Sequence, residues 1–289
     1  MSQRERIFLG LLIASLLALR GHQRKSLSPT GALAAFLVGF LSFASSVRFG
    51  LTLLSFYISA TRATRYKADY KRRVEDGYTA EHGNRSAFQV LASSLPASII
   101  AVVYALWFGL DRAVNAEEPV ASALLLAYLL FFAACAGDTF SSEIGIAMPG
   151  PGKLPILITA PWRKVPRGTN GGVTIEGTMA SAVGGLFVGV TFFVSGPVYD
   201  WSQAWLIVVG VVGGVVGSGL DSIVGAIAQS SWLDKRTGKV VKEVGAVNKD
   251  RDGYEHICGR NWLGGESVNA VAAIATSACA PLLVSMLYG

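Results

Sequence analysis

Three short segments of this chain carry residue types that together suit phosphoryl chemistry. The first, Gly137-Asp138-Thr139-Phe140-Ser141-Ser142-Glu143-Ile144-Gly145, sets two carboxylates among hydroxyls. On a helix Asp138, Ser141 and Ser142 share a face, whereas Glu143 lies about 140° round the axis. Both acids serve one site only if the helix unwinds near Gly145; otherwise there are two sites. The second segment, Gly217-Ser218-Gly219-Leu220-Asp221-Ser222-Ile223-Val224-Gly225, is followed by Gln229. Gly217, Asp221, Gly225 and Gln229 recur every four residues and form one narrow stripe on a helix. Both motifs place an Asp before a hydroxyl residue (Thr139, Ser222), so a pseudo-repeat would set Asp138 against Asp221.

The third segment is Arg163-Lys164-Val165-Pro166-Arg167-Gly168-Thr169-Asn170-Gly171-Gly172, which opens an apolar block at Val173. Cations, glycines whose backbone N–H groups can be approached closely, and a helix start are the ingredients of a phosphate site. Mg²⁺ suits the carboxylates, because it takes hard oxygen ligands and binds through one or two carboxylates plus phosphate oxygens. Carboxylates, a metal and a cationic Gly-rich loop are what phosphoryl transfer needs, since that chemistry rests on positioning and charge neutralisation.

The elements that must position these residues are membrane helices. Hydrophobic residues make up 52% of 289 positions and charged residues 15%, well below the roughly one quarter usual in soluble domains. The apolar residues come in blocks at about 7–20, 29–46, 47–61, 87–110, 119–137, 173–196, 203–229 and 263–288. A block of about 18 residues crosses a hydrocarbon core about 30 Å thick, and only as a helix does it satisfy its own backbone there. The expected fold is therefore an all-α polytopic membrane domain of seven or eight spans covering 1–289. The second and third blocks, parted by Ser45, Ser46 and Arg48, make a tight hairpin or one broken span. The first block is followed directly by Arg20, His22, Arg24 and Lys25, without a cleavage signal, and is kept as part of the protein.

Orientation follows from charge. The segments 20–26, 61–86, 146–172 and 230–262 hold three, seven, four and seven of the 25 Lys and Arg. An excess of cations on short loops marks the cytoplasmic side, so eight spans put both termini outside. The +6 net charge is thus topology, with Lys71, Arg72 and Arg73 available to anionic lipid. No soluble module remains for nucleic-acid binding, whereas a homo-oligomer is compatible. Gly150-Pro151-Gly152-Lys153 lacks the rest of a phosphate loop and reads as a turn. His256 and Cys258 read as part of a solvated loop. Five acids, Asp138, Glu143, Glu176, Asp221 and Glu266, all fall toward the cytoplasmic ends of their spans. Carboxylates in a bilayer normally face a bundle interior or wet cavity. Glu176 and Glu266 have two open readings, reaching the interface or joining the site. Gly177, Ser181, Gly185 and Gly189, and Gly210, Gly213, Gly214 and Gly217, read as close-packing faces.

With these motifs quoted, the chain resembles the membrane family that includes transmembrane protein 19 and plant phytyl-phosphate kinase. The resemblance rests on 138–145, 165–173 and Asp221-Ser222-Ile223-Val224-Gly225-Ala226. Leu233-Asp234-Lys235-Arg236-Thr237-Gly238-Lys239-Val240-Val241, with His256-Ile257-Cys258-Gly259 and Val268-Asn269, is similar to the transmembrane protein 19 branch. Arg167 stands where the family pattern has Pro, and Val224 where it has Leu. The resemblance implies conversion of an isoprenyl monophosphate to the diphosphate with a nucleoside triphosphate (CTP, UTP or ATP), and an endoplasmic reticulum or other endomembrane location in a eukaryotic cell. Combined with the motif chemistry, it assigns Asp138, Glu143 and Asp221 to catalysis and Mg²⁺. Phosphate would be bound by Arg163, Lys164, Arg167, Gly168, Thr169, Asn170, Gly171 and Gly172. Ser142, Ser222, Gln229 and Asn269 would support the site, and the prenyl tail would lie against Gly-rich faces such as Gly185 and Gly189. An acceptor phosphate is already ionised and needs no strong general base. A carrier of an anionic isoprenoid would instead hold its acids near the bilayer midplane, and a non-catalytic scaffold would tolerate Asp138→Ala and Asp221→Ala.

Overall fold

A computed structural model describes residues 2–67, 84–109, 111–147, 154–196, 201–242 and 253–288. The basic cluster Lys71-Arg72-Arg73, the Gly150–Lys153 turn and Asp200 lie outside them. The described chain folds as α1 (Gln3–Gln23), α2 (Pro29–Ser45), α3 (Val47–Arg65), α4 (Ala87–Ala92), α5 (Leu95–Phe108), α6 (Pro119–Ala147), α7 (Ile175–Val194), α8 (Trp205–Ala228), α9 (Gly265–Ser277) and α10 (Ala280–Tyr288). Taking α4–α5 and α9–α10 as single crossings gives eight passes. Four segments, Pro119–Gly145, Ile175–Val194, Trp201–Ala228 and Gly265–Tyr288, are long and apolar enough to cross a membrane, and Pro29–Ser45 and Leu95–Phe108 are shorter apolar helices.

Local chemistry explains the boundaries. Ser28 and Ser46 cap α2 and α3 by accepting from Gly31 N and Arg48 N. The extended backbone of Ser46 makes the tight hairpin between them. Pro96 and Pro281 each sit at the second position of a new helix. Proline lacks the N–H that would continue a helix and clashes with the preceding turn, so the blocks at 87–110 and 263–288 break at Ser93–Ser94 and at Ala278–Cys279.

The basic loops are more ordered than an all-helical reading requires. β1 (Ile156–Leu157), β2 (Ala160–Lys164) and β3 (Gly172–Val173) form one small sheet of order β2-β1-β3. β4 (Ser231–Asp234), β5 (Lys239–Lys242) and β6 (Tyr254–Cys258) form another, of order β5-β4-β6. His256 and Cys258 therefore belong to a strand and not to a loop. His256 packs on Trp232 at 4.7 Å between ring centroids, and Cys258 is buried.

The centre of the fold is α6, which carries Leu125, Leu126, Tyr128, Leu129, Phe131 and Phe132 as fully buried side chains. Its other partners, α7 and α8, approach by backbone. A Cβ on Gly185 would lie 2.2 Å from Gly210 O, one on Gly214 2.6 Å from Ser181 O, and one on Gly137 2.3 Å from Gly214 O. The glycine rows are close-packing faces. No prenyl chain lies against Gly185 or Gly189, because the backbone of α8 already occupies that space.

The two ends of the bundle are distinct. Arg48, 3% exposed, lies 3.5 Å from Asp111 and donates to Phe192 O and Arg112 O. Arg6 reaches Ser45 O at 2.8 Å and Gly109 O. At the other end Leu27 bridges Arg85, and Gln89 donates to Glu266 at 2.9 Å. The basic loops, and both sheets, gather at this second end.

Candidate functional site

The basic end holds a polar cleft with a cavity volume of about 120 Å³. Its floor is made by α6 and α8. Asp138 lies 19 residues into α6, about 28 Å along at 1.5 Å per residue, and Asp221 is 16 residues into α8, about 24 Å along. Both stand past the middle of the apolar spans Pro119–Gly145 and Trp201–Ala228, toward the basic end. The glycine contacts between α6, α7 and α8 bring these two turns together, and the Asp138 and Asp221 carboxyl groups come within hydrogen-bonding reach of each other. Two carboxylates this close repel, and a cation between them offsets that repulsion. Asn269 of α9 donates its amide to Asp221 Oδ1 at 2.9 Å and to Gly265 O at 3.0 Å, which fixes the carboxyl from behind.

The roof of the cleft is the loop before α7. Gly168 and Gly171 adopt φ of +86° and +75°, a left-handed region that glycine enters without strain. A Cβ on Gly171 would strike Ala226 at 2.4 Å, so the loop lies directly on α8. Three of its donors are committed within the protein: Asn170 N to Ser231 Oγ at 3.0 Å, Gly172 N to Thr169 O, and the Thr169 hydroxyl to Pro166 O at 2.7 Å. Thr169 N also turns inward, to Pro166 O. This narrows the loop's own donors toward the cleft to Gly168 N, Gly171 N and the side chains of Arg167 and Asn170. Thr174 caps α7 by accepting from Gly177 N at 3.0 Å, so the positive end of that helix's dipole also faces the cleft.

Asp138, Asp221, Arg167, Gly168, Thr169, Asn170, Gly171, Gly172, Ser142, Ser222 and Gln229 line this one space. Asn269 reaches it through Asp221. Three expected members do not join the lining. Arg163 sits on β2 and donates to Ile257 O at 2.9 Å, tying the two sheets together. Lys164 ends the same strand with an exposed side chain. Glu143 stays helical, a turn and a half past Asp138, and interacts with Arg85 and Asp138 at longer range. The helix does not unwind at Gly145, so Glu143 remains off the face that carries Asp138. Among the described residues no three His, Cys, Asp or Glu side chains gather closely enough to cage a metal ion. Two carboxylates lining a polar cleft are the kind of oxygen ligands that Mg²⁺ takes, its shell being completed by water and phosphate oxygens. Glu266 lies outside this lining and accepts from Gln89 of α4 at 2.9 Å.

Lys242 was not legible as a site residue. It ends β5, lines the cleft and acts electrostatically on both Asp138 and Asp221. The only signal was its place one residue beyond the Leu233–Val241 motif. Beneath the acid pair, on the side away from the loop, a second hollow of about 40 Å³ is lined by Phe56, Ser93, Cys135 and Asn269 together with Asp138 and Asp221.

The fold and the cleft define a multi-pass membrane protein with a polar pocket at the basic ends of its spans. The chain belongs to the family described as integral membrane protein DUF92, which matches residues 12–277. It is similar to Protein PGR of Arabidopsis thaliana, 34% identical over 282 residues that cover 94% of each chain. An uncharacterized membrane protein of Methanocaldococcus jannaschii is 30% identical over 229 residues, 79% of this chain and 85% of the relative. Protein VTE6, chloroplastic, of Arabidopsis thaliana is 29% identical over 163 residues, 56% of this chain and 45% of the relative. No solved structure matches the chain.

Proposed function

We propose that this protein is a membrane-embedded phosphotransferase that converts an isoprenyl monophosphate to the diphosphate with a nucleoside triphosphate, working at the basic, cytoplasmic face. The observation that carries the reading is the convergence of Asp138 and Asp221, from two different spans, beneath a cationic glycine loop. Asp138 and Asp221 would hold Mg²⁺, which when bound neutralises phosphate charge and orients the transferring group. Arg167, Lys242, Asn170 and the Gly168 and Gly171 amides bind the phosphates. Asn269 holds Asp221 in place. In the transfer, an oxygen of the acceptor monophosphate bonds to the terminal phosphorus of the nucleotide while the bond to the bridging oxygen breaks, releasing the nucleoside diphosphate. The acceptor is already anionic, so the residues need only align and neutralise. The position of both acids past the middle of their helices, on the side of the basic loops, favours this over a carrier, whose site belongs at the midplane. The resemblance of the three motifs to phytyl-phosphate kinase supplies the acceptor class, and an endomembrane is the expected location.

The test incubates the purified protein with Mg²⁺, labelled ATP, CTP or UTP, and phytyl or geranylgeranyl monophosphate. Labelled diphosphate that is lost on omitting Mg²⁺ supports the reading. Absence of product with every pairing, in protein shown to be folded, overturns it.

A further inference from the structure

The structure contains an apolar crevice that the phosphate cleft does not use. It is a narrow, partly open slot with a cavity volume of about 70 Å³, and it runs between α1, α2, α3 and the short α4. Ala14, Ala35, Val38 and Phe43 line it on one side, and Leu53 and Leu54 on the other. Phe43 and Gly50 mark its far end, and Leu27, Tyr57 and Arg85 its end on the basic face. Water finds few polar partners along such a wall, and an empty slot forfeits dispersion contacts. In a bilayer the available filler is a hydrocarbon chain.

Charge distinguishes this crevice from a generic lipid groove. The Arg85 backbone is pinned on both sides, Arg85 N donating to Ser26 O and Ser28 N to Arg85 O, each at 3.0 Å. This places Arg85 on the crevice lining with Tyr57, whose hydroxyl lies 3.1 Å from Ser26 Oγ. The Arg85 guanidinium is within electrostatic range of Glu143, on the helix that carries Asp138. Phe56 and Ser93 line both the crevice and the hollow beneath the acid pair. Apolar slot, cationic mouth and acid pair therefore adjoin one another.

We infer that this crevice is the chain-binding site of the lipid acceptor, a single-chain amphiphile whose phosphate head is met by Arg85 and presented toward Asp138 and Asp221. The assignment of the head group rests on the phosphotransfer reading; that of the hydrocarbon chain does not. It replaces the glycine faces of α7 as the place where the tail lies.

Binding of labelled geranylgeranyl monophosphate and of the uncharged geranylgeraniol to the full-length protein in nanodiscs separates the parts. Ala35→Trp and Leu54→Trp, which fill the slot, are expected to weaken both ligands about tenfold or more. Arg85→Gln is expected to weaken the phosphate about tenfold, as loss of a charge-assisted contact does, and to leave the alcohol unchanged. Phe88→Trp, on the exposed side of α4, serves as a control for lipid-facing bulk. Each variant is read only where its melting curve matches the parent, so either tryptophan variant suffices if the other fails to fold. Unchanged binding of both ligands to a folded slot variant overturns the inference, even if transfer activity is robust. Weakened binding in these variants with no transfer to any nucleotide pairing upholds the crevice and sinks the phosphotransfer reading alone.

Discussion

The two ends of this bundle both bury charge, and they treat it in opposite ways. At the end away from the basic loops, Arg48, Asp111 and Arg112 are answered by the protein itself. Asp111 accepts from Ser46 Oγ at 2.9 Å and Arg112 N at 3.0 Å besides pairing with Arg48, whose guanidinium also stacks 3.7 Å from the Phe192 ring centroid. Arg112 pairs with Glu118. At the basic end, Asp138 and Asp221 are set against each other, and Arg167 and Lys242 face the same cleft. Sequence position alone does not tell a structural membrane charge from a functional one. The difference lies in whether the groups around it complement it or repeat its sign.

This contrast can be broken by experiment. Arg48→Ala leaves Asp111 buried without its cation, and loss of one partner of such a pair costs about 3–5 kcal/mol. Thermal unfolding in detergent should register that loss, and Arg48→Ala/Asp111→Ala should cost less than the two single changes added together. At the other end, Asp138→Asn and Asp221→Asn should lower diphosphate formation by at least about 10²-fold, the order seen when a transition-state charge loses one partner, with melting unchanged or raised. A large fall in stability instead would erase the distinction between the ends. Lys242→Gln should have a milder effect, about tenfold in kcat/KM, equivalent to about 1.4 kcal/mol, with increased salt changing the variant less than the parent. The smallest effect belongs to the β4–β5 turn. Asp234 accepts from Arg236 N at 2.9 Å, which holds its carboxyl below the usual range despite an opposing effect of burial. A depressed folded-state value means stability present above about pH 4 and lost as pH falls further. Hydrogen exchange at the turn between pH 5 and 3 should show that loss in the parent and not in Asp234→Asn.

The helical frame was legible because apolar block length is a direct consequence of bilayer thickness, and all eight blocks carry helices at closely matching positions. The stripe Asp221, Gly225 and Gln229 was legible for a similar reason, since helical period fixes which residues share a face. What escaped depends on tertiary approach. Arg163 and Arg167 look equivalent in sequence, but the strand pairing of β2 turns one toward Ile257 O while the loop directs the other into the cleft. Lys242 reaches the acids only because the sheet β5-β4-β6 folds over α8, and that pairing leaves no trace in hydropathy. The glycine rows were correctly read as packing, yet the tail was placed on one of them. Which neighbour would fill that row was not written in its own helix.

The backbone-to-backbone contact of α6, α7 and α8 has a mechanical meaning. Where a methyl group would collide with a carbonyl, as at Gly137, Gly185 and Gly214, nothing can slide or compress, and close-packed interiors resist deformation. These three spans form an anvil that holds Asp138 and Asp221 at fixed separation. In the reading proposed above, the room a lipid needs to enter would come from α1 to α5, which include a broken rod at Ser93–Ser94. A stiff flank would then keep the two acids in register while the other flank yields to the guest.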